Sequence, residues 1–393
     1  MSIRSKAESP ANIDNRLRRL RIAKGLSQAD LASAAGITRQ AVCAIEAQHY
    51  LPTTAVALRL AGALACRVED LFSLLSDGEI VEGELVDAAA VPERTRVKVA
   101  KIGARYVVRP VAGLGGVLNF TVAADGLVRE RGPAGAKAGR GRVRVELLRD
   151  RRSVDEELVV GGCDPAIFLA GEYFQRRDRQ GSAVVGSVVG WTMGSTAALE
   201  ALKRGEVHVA GLHVVDEKSG ESNLPFVRAH MKGHRVAVVT FAAWQQGLMV
   251  RAGNPKGIRD IEDLVRRDVV LINRERGAGA RMLLDRRLAA VGLDAGRIKG
   301  YSREAASHVE VARAIAEGRA DVGMGVGAAA RYFGLDLIPL QAERYDLVMP
   351  QSYLKGHPGL ERFLDTLVSR SFRRDIEAVG GYDTKDTGKV QAL

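Results

Sequence analysis

The run SQADLASAAGITRQAVCAIE at 27–46 leaves this chain few ways to fold locally. It predicts two short helices around a tight corner. Ser27 offers its hydroxyl to the free N–H groups of a first helical turn, and Asp30 stands at the N3 position of a capping box. Leu31, Ala32 and Ala35 recur at helical spacing. Gly36 then stops the helix, because glycine enters the left-handed region at little cost. Ile37 fills the corner, Thr38 caps the second helix, and Val42 and Ile45 form its apolar face. Upstream, NRLRRLRIAKG (15–25) predicts a helix with Leu17, Leu20 and Ile22 inward and Arg16, Arg18, Arg19, Arg21 and Lys24 mostly outward. Downstream, 53–66 is a helix capped by Thr53 and carrying Val56, Leu58, Leu60 and Leu64. Val68, Leu71, Phe72 and Leu75 then close a small five-helix core.

Arg39 and Gln40 project from the exposed first turn of the second motif helix. Such a turn suits the major groove of DNA, where arginine grips guanine and glutamine grips adenine bidentately. The pattern LRxxKGLSQxxLAxxAGITRQxVxxIE within residues 15–75 resembles the helix-turn-helix family of phage Cro and repressor proteins, the XRE-like regulators. The resemblance implies that Gln28 braces the phosphate backbone and that Arg39 and Gln40, following Thr38, read bases. Ala44 stands where many relatives carry a polar base reader and offers only a contact with a thymine methyl. The loop of Gln48, His49 and Tyr50 is placed to meet phosphates.

With 393 residues, 46% of them hydrophobic, the chain has room for two or three domains with sizeable cores. No run of about 18 apolar residues marks a membrane span, and the polar start MSIRSKAESPANIDN is not a signal peptide. Cys43, Cys66 and Cys163 are far apart and lack metal-ligand spacing, which fits small core residues in a reducing cytoplasm. The net charge of +11 agrees with a polyanionic partner. An all-α helix-turn-helix domain is expected at 1–75, a small β-rich connector at 76–156 and an α/β domain at 157–393.

In the connector, RVKVAKIGARYVVRPV (96–111) and GRVRVELL (141–148) alternate apolar and charged residues, the period of half-buried strands. Two further strands are expected in 114–128 around a turn at Ala124, Asp125 and Gly126, and a flexible loop at 132–141. From 157 onward strands and helices alternate. Strands are expected at 158–162, 183–190, 207–215, 235–242, 246–253, 268–273, 320–326, 335–340 and 344–350. Helices are expected at 165–175, 195–204, 258–266, 279–291, 307–317 and 358–379. Such alternation gives sheets covered by helices on both faces.

Chemistry is expected where strands end. GWTMGS (190–195) and NRERGAGAR (273–281) are glycine-bearing turns into helices, where free N–H groups and the helix dipole attract anions. With Cys163-Asp164 and Ser307-His308, also at expected strand ends, they outline a cleft for an anion or polar ligand. GCDPA (162–166), TMGSTAALEALKRGEVHVAGLHVVD (192–216), NLPFVR (223–228), QGLMVRAGNPKGI (246–258), INRERGAGAR (272–281) and GGYDT (380–384) resemble the type 2 periplasmic-binding-protein fold. They look like its branch that is often fused to a helix-turn-helix and linked to molybdate or molybdopterin. The resemblance implies two lobes that close like jaws, with chain crossings near 239–249 and 344–349.

Relatives commonly carry Ser and Thr where this chain has Ala278 and Ala280, so two hydroxyl donors are missing while Arg274, Arg276 and Arg281 remain. Arginine with few hydroxyls favours a larger anion or a carboxylate over a bare tetrahedral oxyanion. Arg276 is expected at the surface. The ligand residues expected are Cys163, Asp164, Thr192, Met193, Gly194, Ser195, Arg274, Gly277, Gly279, Arg281, Ser307 and His308.

His208, His213, His234 and His308 show no HExxH spacing, and no GxSxG elbow is present. A Cys163 nucleophile with His308 or His213 is the enzymatic alternative; the simpler expectation is that Cys163 and Asp164 line the cleft or cap a helix. No catalytic residue, metal site or resident cofactor is assigned. The expectation is a cytoplasmic, ligand-sensing transcriptional regulator. It would bind double-stranded operator DNA as a homodimer, on half-sites about 34 Å apart. It would respond to molybdate, tungstate or a molybdopterin-like anion. A molybdenum-cofactor carrier or insertion module, or a ligand-free dimerisation platform, are the alternatives for the second half.

Overall fold

The computed structural model describes residues 13–74, 79–86, 91–111, 122–131, 141–176, 187–216 and 219–393, and the chain forms two units, Met1–Glu79 and Ile80–Leu393. Leu75, the loop at 132–140 and the strand portions expected at 114–121 and 183–186 lie outside the described residues.

In the first unit, Ser27 caps α2 (Gln28–Ala35) through a complete capping box with Asp30, and Gly36 ends it at φ 62°. Thr38 caps α3 (Arg39–Glu46), accepting from Ala41 N. Helices α1 (Leu17–Ala23), α4 (Thr54–Leu64) and α5 (Val68–Leu71) surround the pair. The short strands β1 (Ile13–Asn15) and β2 (Phe72–Leu74) pair antiparallel, joining the ends of the unit. Leu17, Leu31, Val42, Ile45, Leu60 and Leu71 form a core with no exposure. Two expectations for α1 are corrected. Ile22 is 58% exposed, while Arg21 turns inward. Its guanidinium bonds both oxygens of Glu46, at 2.6 and 3.0 Å, and the carbonyl of Leu26. A buried arginine with a carboxylate partner satisfies its donors, which the sequence spacing did not reveal.

The second unit begins with a closed five-stranded barrel, within the stretch expected as a β-rich connector. Its strands are β3 (Ile80–Leu85), β4 (Arg96–Ile102), β5 (Arg105–Pro110), β6 (Gly126–Arg131) and β7 (Gly141–Leu147), in the order β3-β5-β4-β6-β7. Alternate valines fill it, among them Val97, Val99, Val108, Val128 and Val145. Asp125, expected at an exposed turn, is fully buried. It binds Lys98 at 2.6 Å and Arg149 at 2.7 Å, and both cations also reach Glu157. This network, with α6 (Arg151–Asp155), fastens the barrel to the α/β part. His208 fastens it again: Val159 N donates to its Nδ1, so its Nε2–H donates to the carbonyl of Lys101 at 3.0 Å. Burial, then His357, lower the His208 pKa to about 3, which keeps that bridging ring neutral.

The α/β part runs β8 (Leu158–Gly162), α7 (Ala166–Arg176), β9 (Val188–Thr192), α8 (Ser195–Lys203), β10 (Val209–Leu212), α9 (Leu224–His230), β11 (Val236–Arg251) and β12 (Leu271–Arg274). It continues through α10 (Gly279–Ala290), β13 (Glu304–Ala305), α11 (His308–Ala316), β14 (Val322–Val326), α12 (Gly327–Tyr332) and β15 (Leu335–Pro350). It ends with α13 (Tyr353–Gly356), α14 (Pro358–Val368), α15 (Arg370–Val379), β16 (Tyr382–Asp383) and β17 (Val390–Ala392). One sheet carries the order β13-β12-β14-β11-β15-β10-β8-β9. The strand pairs expected at 235–242 with 246–253, and at 335–340 with 344–350, are each a single strand of 16 residues. Breaks in the apolar pattern at 243–246 and 341–343 mark the crossing between lobes, not turns. The helix expected at 258–266 is a shorter 3-10 turn, Ile261–Val265. Among the described residues no helix is long and apolar enough to cross a membrane.

Gly162 and Gly211 stand on neighbouring strands and leave room for the hydroxyl of Tyr345. A Cβ would lie 2.1 Å from that oxygen at Gly162 and 1.9 Å at Gly211. Gly211→Ala should therefore cost about 1–3 kcal/mol in urea unfolding. Adding Tyr345→Phe should recover only part, since a Cβ at Gly211 also meets the ring carbon Cζ at 2.5 Å. Unchanged stability in Gly211→Ala would contradict this packing.

Glu46 supplies a pH test. Burial works to raise its pKa, but the Arg21 and Gln28 hydrogen bonds win and hold it below the ordinary value. A carboxylate depressed on folding stabilises above its unfolded pKa, and that stabilisation is lost as pH falls through the folded pKa. Wild-type stability should thus drop on acidification below about pH 4. In Glu46→Gln the drop should be smaller, and an identical acid profile would exclude Glu46 as a source.

Candidate functional site

The first unit presents its exposed edge on α3. Thr38, Arg39, Gln40, Gln48 and Tyr50 are exposed and Ala44 is half-buried. Gln28 is half-buried, and its Nε2 donates to Glu46 at 2.9 Å, so the buried Arg21–Glu46 pair also orients Gln28. Gln48 takes a left-handed backbone, φ 58°, just after the helix, which turns the chain toward His49 and Tyr50.

In the second unit three side chains from three strand ends meet around one sulfur. Cys163 follows β8, His213 follows β10, and His308 opens α11. Cys163 Sγ lies 3.2 Å from His213 Nε2 and 3.7 Å from His308 Nε2. His213 Nδ1 lies 2.7 Å from Glu343 Oε2. All four residues are buried. Burial alone would lower the His213 pKa, but Cys163 on one side and Glu343 on the other raise it to about 10. Burial, then Arg274 and His213, push His308 well below its ordinary value. The His213 ring thus holds its proton, and the His308 ring stays neutral.

Asp164 acts next to this cluster. Its Oδ1 accepts from Ala166 N at 2.8 Å, capping α7, and its Oδ2 accepts from the Tyr382 hydroxyl at 2.9 Å. Burial raises its pKa to about 6, against those two bonds. Aromatic rings wall the cluster. The Trp244 ring lies 5.5 Å from His213, 4.9 Å from Tyr345 and 6.0 Å from Tyr382.

Arg274 is fully buried. It bonds both oxygens of Glu275 and the carbonyls of Ala305 and Ala306. Its guanidinium is desolvated, yet Cys163 and Glu275 raise its pKa. Arg274 Nη1, Trp244 Nε1, Tyr345 Oη and both amide atoms of Gln246 are buried without a hydrogen-bond partner among the described residues. Buried polar atoms are normally paired, so several in one region mark a place for a polar ligand.

The other expected ligand residues fall elsewhere. Thr196 N and Oγ1 both bond the carbonyl of Gly277, at 3.2 and 2.9 Å, so the two glycine turns meet each other instead of an anion. A Cβ at Gly194 would lie 2.8 Å from Glu275 Oε1, and one at Gly279 would lie 1.9 Å from the His213 carbonyl. These glycines permit close approach between lobes. Ser195 Oγ accepts from His213 N at 3.2 Å and so braces the ring. Met193 packs on Gly161, and Thr192 ends β9. Ser307 caps α11. Arg281 bonds Asp285 and lies 4.3 Å over the Tyr301 ring, so it is not a ligand clamp, and Arg276 is exposed as expected. Cys163, His213 and His308 hold one donor atom each within 4.8 Å of one another, a grouping that the spacing of the cysteines along the chain does not show. Trp244, Gln246, Glu343, Tyr345 and Tyr382 were missed as site residues. Alternation along the two crossing strands was the available signal, since it puts 244 with 246 and 343 with 345 on common faces.

A helix-turn-helix family model matches residues 17–71, and a PBP superfamily domain model matches residues 177–368. The uncharacterised protein YvgK of Bacillus subtilis (strain 168) is 34% identical over 197 residues, 50% of this chain. The chain spans 63% of that relative's length. An uncharacterised HTH-type transcriptional regulator of the same organism, YgzD, is 40% identical over 60 residues, 15% of this chain and 91% of its own. A solved structure described as a phosphate ABC transporter substrate-binding protein with bound phosphate, from Clostridium perfringens, aligns with 59% of this chain and 100% of its own, with 14% identity and a TM-score of 0.43. The chain belongs to the helix-turn-helix family through residues 17–71 and joins that unit to an α/β, PBP-like two-lobed domain.

Proposed function

We propose that this protein is a cytoplasmic transcriptional regulator that binds operator DNA as a homodimer and senses a small anion in the cleft of its PBP-like domain. Arg39 and Gln40 read bases, while Gln28, Gln48 and Tyr50 hold the phosphate backbone. The anion is an oxyanion of the molybdate or tungstate kind, a molybdopterin-like anion or a small carboxylate. The observation that carries the sensing half is the set of buried, unpartnered donors on Arg274, Trp244 and Gln246. An anion there would satisfy groups whose desolvation otherwise costs about 1–3 kcal/mol each. Ala278 and Ala280 no longer need to be hydroxyl donors on this geometry, because the free donors lie on the crossing strands and β12.

Thermal unfolding of the full chain should be measured against molybdate, tungstate, sulfate, phosphate and a panel of small organic acids. An effector at about a hundred times its dissociation constant should add about 2.7 kcal/mol. Trp244→Phe keeps an aromatic side chain, though a smaller one, and removes the indole N–H, and should weaken binding of the effective anion about tenfold. No shift with any anion would overturn the sensing role.

The DNA half is tested by fluorescence anisotropy on a panel of operator variants. Arg39→Ala should relax preference at one base position, and Gln28→Ala should weaken binding evenly across sequences. An even loss for Arg39→Ala would count against base reading.

A further inference from the structure

We propose that Cys163, His213 and His308 form a binding site for a borderline-soft divalent metal ion of the zinc class, and that this ion bridges the two lobes. Cys163 and His213 stand at the ends of β8 and β10, on one side of the crossing strands; His308 opens α11, beside β12 and β14, on the other. A tetrahedral zinc ion with bonds of about 2.3 Å to sulfur and about 2.0–2.1 Å to nitrogen sets its S and N ligands about 3.5 Å apart. The two S···N distances here, 3.2 and 3.7 Å, fall on either side of that spacing. Both histidines offer Nε2 to the sulfur, so one point is within reach of all three donors.

The surroundings fit the same ion. Glu343 Oε2 accepts a hydrogen bond from His213 Nδ1–H at 2.7 Å, the carboxylate–histidine arrangement that fixes a metal-bound ring and its tautomer. Ser195 holds the backbone N–H of His213 from behind. Glu275, bonded to Nε and Nη2 of Arg274, offsets the guanidinium charge beside the sulfur. Three protein ligands leave one position open. An anion in the cleft would take it, with Arg274 Nη1 as a further partner; this last clause rests on the anion-sensing function proposed above.

A Cys–His–Glu nucleophile triad would use Cys163, His213 and Glu343 only. It leaves unexplained why a second histidine, from the opposite lobe, is brought to the same sulfur.

The test uses the full chain with Cys43→Ser and Cys66→Ser, so that Cys163 is the one thiol left. Titration with Co2+ should give one bound ion per chain, with a near-ultraviolet thiolate-to-cobalt charge-transfer band that Zn2+ abolishes. Adding Cys163→Ser should remove the band, and His308→Gln should weaken Co2+ binding about tenfold or more. Circular dichroism confirms folding of each variant, and if His308→Gln does not fold, the parent and Cys163→Ser decide. Absence of the band at saturating Co2+ in the parent, or an equal spectrum in Cys163→Ser, would overturn the proposal. Thermal shifts with the oxyanion panel on the same preparations separate the two ideas. A shift without the band removes only the metal site, and a band without any shift removes only the anion sensor.

Discussion

The second unit depends on the antiparallel pairing of β11 with β15. Their contacts run from Val236 opposite Pro350 to Arg251 opposite Leu335. Each strand changes its other neighbour along the way. β11 pairs with β17 at Ala237–Val239, with β16 at Ala243 and Trp244, and with β14 at Gln246–Val250. β15 pairs with β10 near its C-terminal end. One ribbon thus serves two lobes. Its ladder is irregular between Thr240 and Ala242 and between Gln246 and Gly247, and Trp244 lies between the two irregularities. Bulges bend and twist a ribbon locally, which places Trp244, Gln246, Glu343 and Tyr345 where both lobes present their strand ends.

That placement explains how much was legible in the sequence. The helix-turn-helix unit was readable nearly to the residue, because caps, a left-handed glycine and a 3.6-residue apolar stripe are local signals. Ser27, Gly36 and Thr38 act as their residue types require. Arg21 was misplaced because its burial depends on Glu46, 25 residues away. The α/β alternation was also legible, whereas the continuity of β11 and β15 was not. Polar residues such as Gln245, Gln246 and Gln341 imitate a turn when their burial between lobes is unknown. The site suffered most. The glycine turns carried the expected anion-binding signature, yet Thr196 and the Gly277 carbonyl consume each other's hydrogen bonds. A helix N-terminus attracts an anion only if its N–H groups remain free.

Electrostatics separate the two kinds of buried charge in this unit. The Lys98–Asp125–Glu157–Arg149 network contains two cations and two carboxylates, closed by Ser187 on Glu157. It is a joint between barrel and sheet, and removing any one member would strand its partners in a low dielectric. The cleft cluster is different in kind. Its sulfur, imidazoles, guanidinium and phenol are brought together by five separate elements, and several of their polar atoms end without partners.

Which residues lie on which lobe then bears on regulation. A ligand shifts a two-state equilibrium only by its difference in affinity for the two states. Donors confined to one lobe would bind equally well whether the jaws were open or shut. Here Cys163 and His213 belong to one lobe, His308 and Arg274 to the other, and Trp244, Gln246, Glu343 and Tyr345 to the ribbon between them. A bound group that touches both lobes makes its full set of contacts only when they meet. If two of its bonds, each worth about 1.5–3 kcal/mol when charged, exist in the closed state alone, closure is favoured by about 3–6 kcal/mol. Moving a population from 1:99 to 99:1 takes about 5.5 kcal/mol. Arg274 and His308 on the second lobe are therefore enough, by themselves, to bring a closing domain near the range in which a ligand acts as a switch.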